Sequence, residues 1–543
     1  MQPSLPPADR LRPRATTVGR AALLMSGMIF ASRVTGLVRQ AVIAHLFGVS
    51  WRTDAYSAAF SLPDFIYFLI SGGALATGFV PVFTEFVTKH QPEQARRTFR
   101  ALATFLSVTL LVVIGLCWVM APQLVWLISP GFRTQPETLE LTVQLTRILL
   151  PAQFFFVLGG LFQGTLNSLK YFFVTAWQPI IYNLGIIVGA VTAHQLGGPT
   201  QVEGLVVGAL VGAFLGAFVV QVPALLWLGM SFRPLWDLRD PGVRKVGTLV
   251  LPVIFGLSIQ QVNAIILPRT IATTLGEGAA IVIEYSNRLM QVPVAIFASG
   301  MAIALLPTLS ALVAAGKRDA MREQLARSLR LELLLAVPSA VLLFVLAGPI
   351  VRLFYEHGAF GPDDTARVAY ALGFYCPGIL GMSAQQIVSR GFYALQDTAS
   401  VVVLGLVGCV SYFVAAYVFL NLIPLGLGAP AAATSVSALV NASLLIGALG
   451  RKVGAIEDSS AVATLLKSAL AAALAGLLAH AVVTMIEQRL DTASRVVQLG
   501  QVASALTLAA VAYAALLRAL RVDEAAFVIE KLLKKLGLSR SAP

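Results

Sequence analysis

Charge is scarce in this chain. Only 12% of its 543 residues are Asp, Glu, Lys or Arg, against about 25% in ordinary soluble domains. That excludes a soluble globular protein of this length. Cysteine is nearly absent too. Cys117, Cys376 and Cys409 all fall in or beside apolar runs, which argues against a disulfide framework and against a zinc site. His45, His90, His194, His357 and His480 form no metal-ligand spacing, and no metal or other cofactor is expected. No GxxxxGK[ST] run occurs, so the chain has no ATPase site of its own. Energy for any transport then comes from an ion gradient, the membrane potential or the substrate gradient. An enzyme is not expected.

Apolar length is what the sequence has in plenty. Hydrophobic residues make up 57% and the mean hydropathy is +0.81. Stretches of about 18 or more apolar residues, the mark of transmembrane helices, recur from end to end. The pattern predicts an all-α polytopic membrane protein of fourteen helices. They run over 21–47, 53–84, 100–128, 139–168, 177–195, 202–230, 244–275, 279–306, 327–350, 364–390, 400–421, 427–450, 462–485 and 497–519. The first run is too long for a cleaved signal peptide and contains arginines, so it reads as a retained helix.

The net charge of +13 sits in short loops between apolar runs, which argues for membrane orientation rather than nucleic acid. One side carries Arg10 to Arg20, Lys89 to Arg100, Arg233 to Lys245, Lys317 to Arg330, Arg451 and Lys452, and the tail lysines and arginines. The other side has scattered cations such as Arg52, Arg133, Arg352 and Arg489. Both termini are therefore expected in the cytoplasm. The tail gathers Val528, Ile529, Leu532, Leu533 and Leu536 on one helical face, which predicts a helix lying on the inner membrane surface.

The second and eighth helices repeat a pattern. Asp54 stands before Pro63, then Ser71-Gly72 and Pro81; Glu284 stands before Pro293 at the same spacing, then Ser299-Gly300 and Pro307. Pro151 to Gly164 and Pro377 to Gly391 echo one another in the fourth and tenth helices. An even number of helices separates the copies, so both halves face the same way. The expected architecture is two six-helix lobes in parallel repeat, over 21–231 and 244–451. Two C-terminal helices (462–519), a cytoplasmic N-terminal tail (1–20) and a cytoplasmic C-terminal tail (520–543) complete it.

Three arginines interrupt apolar helices: Arg33 and Arg39 in the first, Arg288 in the eighth. A central arginine costs roughly 2.5–3.5 kcal/mol on insertion scales. Arg33 and Arg39 are six positions apart, about 120° around the helix and roughly 9 Å along it. Gly36 lies midway, so the guanidiniums flank a strip of backbone with room for a bulky anion. Arginine's planar fork suits phosphate oxygens, and a pyrophosphate fits the spread. In the other reading each arginine pairs with an acid: Asp54, Asp64 or Glu284, the last four residues before Arg288. Arg147 and Arg269 read as structural side chains that snorkel to the outer interface. Gln260, Gln261, Asn263 and Asn167 either face a cavity or bond across helices. The Gly204 to Gly216 run reads as a close-packing surface, and Pro362-Asp363-Asp364-Thr365 as a helix cap.

The run Ser32-Arg33-Val34-Thr35-Gly36-Leu37-Val38-Arg39, with Phe47-Gly48 and Thr53-Asp54-Ala55-Tyr56, resembles the opening of the MurJ (MviN) lipid II flippases, of the multidrug/oligosaccharidyl-lipid/polysaccharide exporter superfamily. Leu62-Pro63-Asp64, Gly72-Gly73-Ala74-Leu75 and Phe79-Val80-Pro81-Val82-Phe83 continue the likeness. So do Tyr285-Ser286-Asn287-Arg288-Leu289, Leu306-Pro307-Thr308-Leu309-Ser310 and His357-Gly358-Ala359-Phe360. The resemblance implies a flippase that moves undecaprenyl-pyrophosphate-linked peptidoglycan precursor, lipid II, from the inner to the outer leaflet of the cytoplasmic membrane. It implies a pyrophosphate cavity with Arg33, Arg39, Arg288 and Asn167, acids at Asp54, Glu284 and Asp64 that tune or couple the cycle, and a lipid-tail groove on the last two helices. The implied partners are lipid II, membrane lipids and cell-wall synthesis proteins; nucleic acid is not one. The chain departs from the family at Gln40, where Asp is common, at Tyr67, where Arg is common, and at Asp64, where Asn is. The rivals are a flippase for another prenyl-pyrophosphate-linked oligosaccharide, a MATE-type cation antiporter and a polytopic glycosyltransferase. A cationic cavity argues against the antiporter, and short outer loops argue against the glycosyltransferase.

Overall fold

The computed structural model describes residues 18–70, 74–197, 201–250, 262–454, 459–491 and 494–522. The expected surface helix of the tail, Ser71-Gly72, Gln260 and Gln261 lie outside the described residues. Among the described residues, nine helices are long and apolar enough to cross a membrane. They become ten when Ala279–Ile296 and Ala298–Ala314, bent by 40°, form one broken span. The chain is an all-α polytopic membrane protein. The expected second helix is cut after Ala59, and its residues 71–73 lie outside the described set. The expected seventh contains residues 251–261, outside the described set. The expected tenth is 33 residues long but carries Ser383, Gln385, Gln386 and Ser389, and it is not among the nine.

The chain divides into two units. The first, Met1–Ile281 with Gly358–Phe360, contains α1 (Val18–Phe47), α2 (Trp51–Ala59), α3 (Ser61–Ile70), α4 (Ala74–Thr88), α5 (Pro92–Val119), α6 (Ala121–Ile128), α7 (Pro136–Leu149), α8 (Ala152–Ser168), α9 (Phe172–Thr175), α10 (Gln178–Gly197), α11 (Glu203–Phe214), α12 (Gln221–Trp227) and α13 (Leu267–Ala272). Ser50 and Thr53 close a capping box at the start of α2, satisfying amides that have no partner within the helix. That helix ends at Ala59, four residues before Pro63, whose ring nitrogen has no hydrogen to offer the Ala59 carbonyl. Phe79, Phe83, Phe99, Leu106, Val157, Leu161 and Phe162 form the core where α4, α5 and α8 meet. Between α10 and α11, Gly185 and Gly189 lie against Gly204, Gly208 and Gly212, and a Cβ at any of them would run into the facing helix. The close-packing reading of the glycine run holds. Residues 358–360 join this unit through the Ala359 N–H, which donates to the His45 carbonyl at 2.8 Å. Gly48 (φ 61°) sits under Ala359 in a backbone conformation that suits glycine.

The second unit, Val282–His357 with Gly361–Pro543, takes most of α14 (Ala279–Ile296), then α15 (Ala298–Ala314), α16 (Arg318–Val345), α17 (Ala347–Tyr355), α18 (Pro362–Ala394), α19 (Thr398–Tyr417), α20 (Gly428–Val453), α21 (Ser459–Arg489) and α22 (Arg495–Ala519). Helix α18 is its centre, packed against α15, α16 and α20. Leu325, Leu329, Ile387, Val388 and Phe392 fill that interface. The Asp364 carboxylate accepts from the Gly361 N–H at 3.1 Å, the helix cap expected of that stretch. A second core joins α16 to α21 and α22 through Leu334, Ala475, Ala479 and Tyr513.

The internal repeat has a counterpart in the elements. Helices α5, α6 and α7 begin at Pro92, Ala121 and Pro136; α16, α17 and α18 begin at Arg318, Ala347 and Pro362, a constant displacement along the chain. Helices α8 and α18 close alike. Lys170 (φ 63°) and Gln396 (φ 59°) take left-handed conformations, and the next N–H reaches back, Tyr171 to the Leu166 carbonyl at 2.8 Å and Asp397 to Phe392 at 2.9 Å. This is the Schellman closure, built twice without glycine.

Candidate functional site

Arg33 is exposed on α1, and among the described residues no acid or hydrogen-bond acceptor engages it. Arg39 is half-buried and has no carboxylate either. Its Nη1 donates to the Asn183 Oδ1 at 3.0 Å, while its Nε is enclosed without a partner. Two guanidiniums therefore sit on one apolar helix without compensating charge, and the pairing reading fails for both.

Asn183, on α10 and 7% exposed, was not singled out from the sequence. Its Nδ2 donates to the Ser32 carbonyl and to the Thr35 Oγ1, each at 3.3 Å, and lies 3.7 Å from where a Cβ on Gly36 would stand. The strip between the arginines is thus not bare, which corrects the expectation. Gly36 lets α10 come close, and the Asn183 amide fills the space. The sequence signal was a lone asparagine in an apolar helix, which reads the same for a brace and for a ligand.

Arg288, in the second unit, is paired as its spacing suggested: its Nη2 is 3.5 Å from the Glu284 Oε1. The guanidinium side chain stays 45% exposed while the acid is 10% exposed. Asp54 is 2% exposed and accepts the N–H groups of Gly278 and, at 2.9 Å, Ile281. It caps the first turn of α14. Asp64 lies 3.5 Å from the Arg269 Nη1, and Arg269 also reaches the Ser61 Oγ at 3.4 Å. Arg269 is 5% exposed, so it does not snorkel; its structural role is that of a buried ion pair. Arg147 keeps its structural reading, its Nε donating to the Trp118 carbonyl at 3.1 Å with the guanidinium over that ring. The Asn167 Oδ1 accepts from the Thr175 Oγ1 at 2.9 Å, bracing the turn from α8 to α9. Tyr67 packs edge-on against Phe156, and Gln40 is buried.

Among the described residues, the first unit thus carries Arg33 and Arg39 on one apolar helix unpaired by acids, and the second carries Arg288 beside Glu284. Residues 43–499 match the family model described as lipid II flippase MurJ. The chain belongs to that family. The match covers Asp54, Asp64, Asn167, Glu284 and Arg288, and begins after Arg33 and Arg39. The lipid II flippase MurJ of Burkholderia cenocepacia is 33% identical over 449 residues, covering 81% of this chain and 85% of its own. The probable lipid II flippase MurJ of Vibrio cholerae is 30% identical over 436 residues, covering 78% and 82%. Among solved structures, a lipid II flippase MurJ in an inward closed conformation superposes with a TM-score of 0.74 at 23% identity, covering 92% of this chain and all of that one. An inward-facing MATE family multidrug transporter gives 0.64 at 17% identity, over 78% and 96%. At these identities the structural likeness concerns the fold.

Proposed function

We propose that this protein is a flippase carrying lipid II from the inner to the outer leaflet of the cytoplasmic membrane by alternating access. The unpaired state of Arg33 and Arg39 is the observation that carries the reading. Charge inside a membrane span is retained where it has an anion to hold, and among the described residues no carboxylate serves. Arg33, Arg39 and Arg288 bind the pyrophosphate, with Asn167 on the path of the headgroup. Bidentate guanidinium–phosphate contacts give both attraction and orientation.

The acids take different parts. Glu284 holds the Arg288 guanidinium until phosphate oxygens compete for it. Asp54 and Asp64 act as positioning groups, one fixing the start of α14 and the other fixing Arg269. The full architecture is fourteen spans, as two six-helix lobes (21–231 and 244–451) and a lipid-tail groove on 462–519, with both termini in the cytoplasm. Cell-wall synthesis proteins that use the exported precursor are its partners in the cell.

The test is transport in vesicles. Arg33→Gln and Arg39→Gln keep size and hydrogen bonding and remove charge. Stably inserted, each is expected to lower lipid II translocation at least about tenfold, the equivalent of about 1.4 kcal/mol in substrate stabilisation. Wild-type rates in both would sink the proposal. Equal transport of a prenyl-pyrophosphate carrying an unrelated oligosaccharide would move the substrate assignment, leaving the cation site intact.

A further inference from the structure

Glu332 lies in the middle of α16 and is 0% exposed. Both its carboxyl oxygens are enclosed without a hydrogen-bond partner. The polar group that bears on it is the Ser383 hydroxyl of α18, which does not complete a hydrogen bond with either oxygen. Among the described residues no cation pairs with it: not Arg327 or Arg330 on its own helix, Arg390 on α18 or Lys467 on α21. Tyr375, Cys376 and Tyr393 of α18 and Tyr513 of α22 are further titratable side chains on the packed helices. The Tyr513 hydroxyl is already bonded to Ser468 and to the Leu334 carbonyl. Helix α15 presents no titratable side chain.

The fold does not require an acid here. By the constant displacement of the repeat, Glu332 on α16 corresponds to Leu106 on α5, and Ser383 on α18 to Val157 on α8. Leu106 and Val157 belong to the buried core of the first unit. The first copy makes the contact from two hydrocarbons; the second replaces it with a carboxyl and a hydroxyl. A carboxylate taken out of water without a partner costs several kcal/mol even after relaxation. A neutral carboxyl avoids that cost. One hydroxyl is too few oxygens for a metal cation, which seeks six or more.

We propose that Glu332 is a proton-binding site of the second unit, which releases its proton to water when α16 and α18 part and recovers it as they close. The step is a simple exchange, carboxylic acid plus water giving carboxylate and hydronium. Its coupling to transport rests on the flippase reading above; the proton site does not.

The experiment uses the full-length protein in detergent and in lipid vesicles. Infrared difference spectra between high and low pH are expected to contain a protonated-carboxyl C=O band that E332Q lacks. Thermal stability of the wild type is expected to fall as pH rises from the ordinary carboxyl range up to that titration and to level off above it, with E332Q flat across the same range. Should E332Q fold poorly, the pair E332L with S383V copies the first unit's contact and is expected to fold and lose the band. A band that persists in either variant, or pH profiles that coincide with wild type, overturns the site. In vesicles, the pH dependence of lipid II movement is expected to disappear in E332L/S383V. If it is unchanged while the band is lost, the coupling is overturned and the proton site stands. If neither wild type nor variant moves lipid II while the band behaves as expected, the flippase reading fails instead.

Discussion

Asn183 is the residue that holds Arg39 and braces α1. Replacing it by leucine removes a bond to Arg39 and two to α1; the expected loss is about 1–3 kcal/mol, read as a lower melting temperature in detergent. Asn183→Asp keeps a partner for Arg39 but loses the two bonds that the amide donates to α1. It places an anion beside Arg39, so lipid II translocation is expected to fall further than in the leucine variant at an equal or smaller loss of stability, because the guanidinium is now neutralised. A translocation rate equal to wild type in that variant would mean Arg39 does not touch the substrate. The arginines themselves were legible, since a cation in an apolar run stands out at any spacing. Their surroundings were not. Asp64 meets Arg269 from far along the chain, and nothing local distinguishes a buried pair from a snorkelling cation. Asn183 was missed because a single amide in a long apolar helix has no directional signal. Glu284 with Arg288 could be read, because a helix places residues four apart on one face.

Helices are the scale at which the chain was most readable, and proline and glycine explain both the successes and the breaks. Pro63 stops α2 at Ala59 by leaving that carbonyl without its donor. Small residues between α10 and α11 were expected to pack closely, and Gly208 does so against the Gly185 carbonyl. Gly208→Leu is expected to destabilise the first unit by about 1–3 kcal/mol, the usual cost of overpacking, and Gly300→Leu, where a Cβ meets nothing within 4 Å, by much less. Thermal melts of the two variants side by side check this. The division of the second helix was not legible in its apolar count. Hydropathy sums composition over a window, and a break of one residue at Phe60 leaves that sum unchanged. The reverse holds for α18, which is continuous but polar, and part of that polarity is spent on contacts with neighbouring helices. One such contact is the Gln386 Oε1, which accepts from Ser299 at 3.1 Å.

Across the whole molecule, charge outside the spans governs how it responds to acid. Glu85, beyond the end of the expected second span, is lowered to about 2 by hydrogen bonds from Lys245 and Lys89. Asp237 is held below the ordinary carboxylate range by its hydrogen bond to Arg97. A carboxylate whose folded value is depressed stabilises fully above its unfolded value, near 4. That contribution is lost as pH falls toward the folded one. Acid melts are therefore expected to weaken between about pH 4 and pH 2, and Glu85→Gln to blunt the weakening; an unchanged acid limb in that variant would rule the contact out as a contributor. A transmembrane potential acts on the same scale. Moving a phosphate outward against a negative interior gains about 2.3 kcal/mol per charge per 100 mV, so vesicles with an imposed inside-negative potential are expected to move lipid II faster than unpolarised ones. The cap on α14 bears on what such a substrate finds inside. A helix beginning is a natural cradle for phosphate, since its free amides converge on an anion. At α14 that cradle is already filled by the protein's own Asp54. The molecule has plugged its ready-made anion trap with an internal mimic. Under the proposed function, a pyrophosphate entering it is held by guanidiniums, which can let go, instead of a nest of amides built to hold.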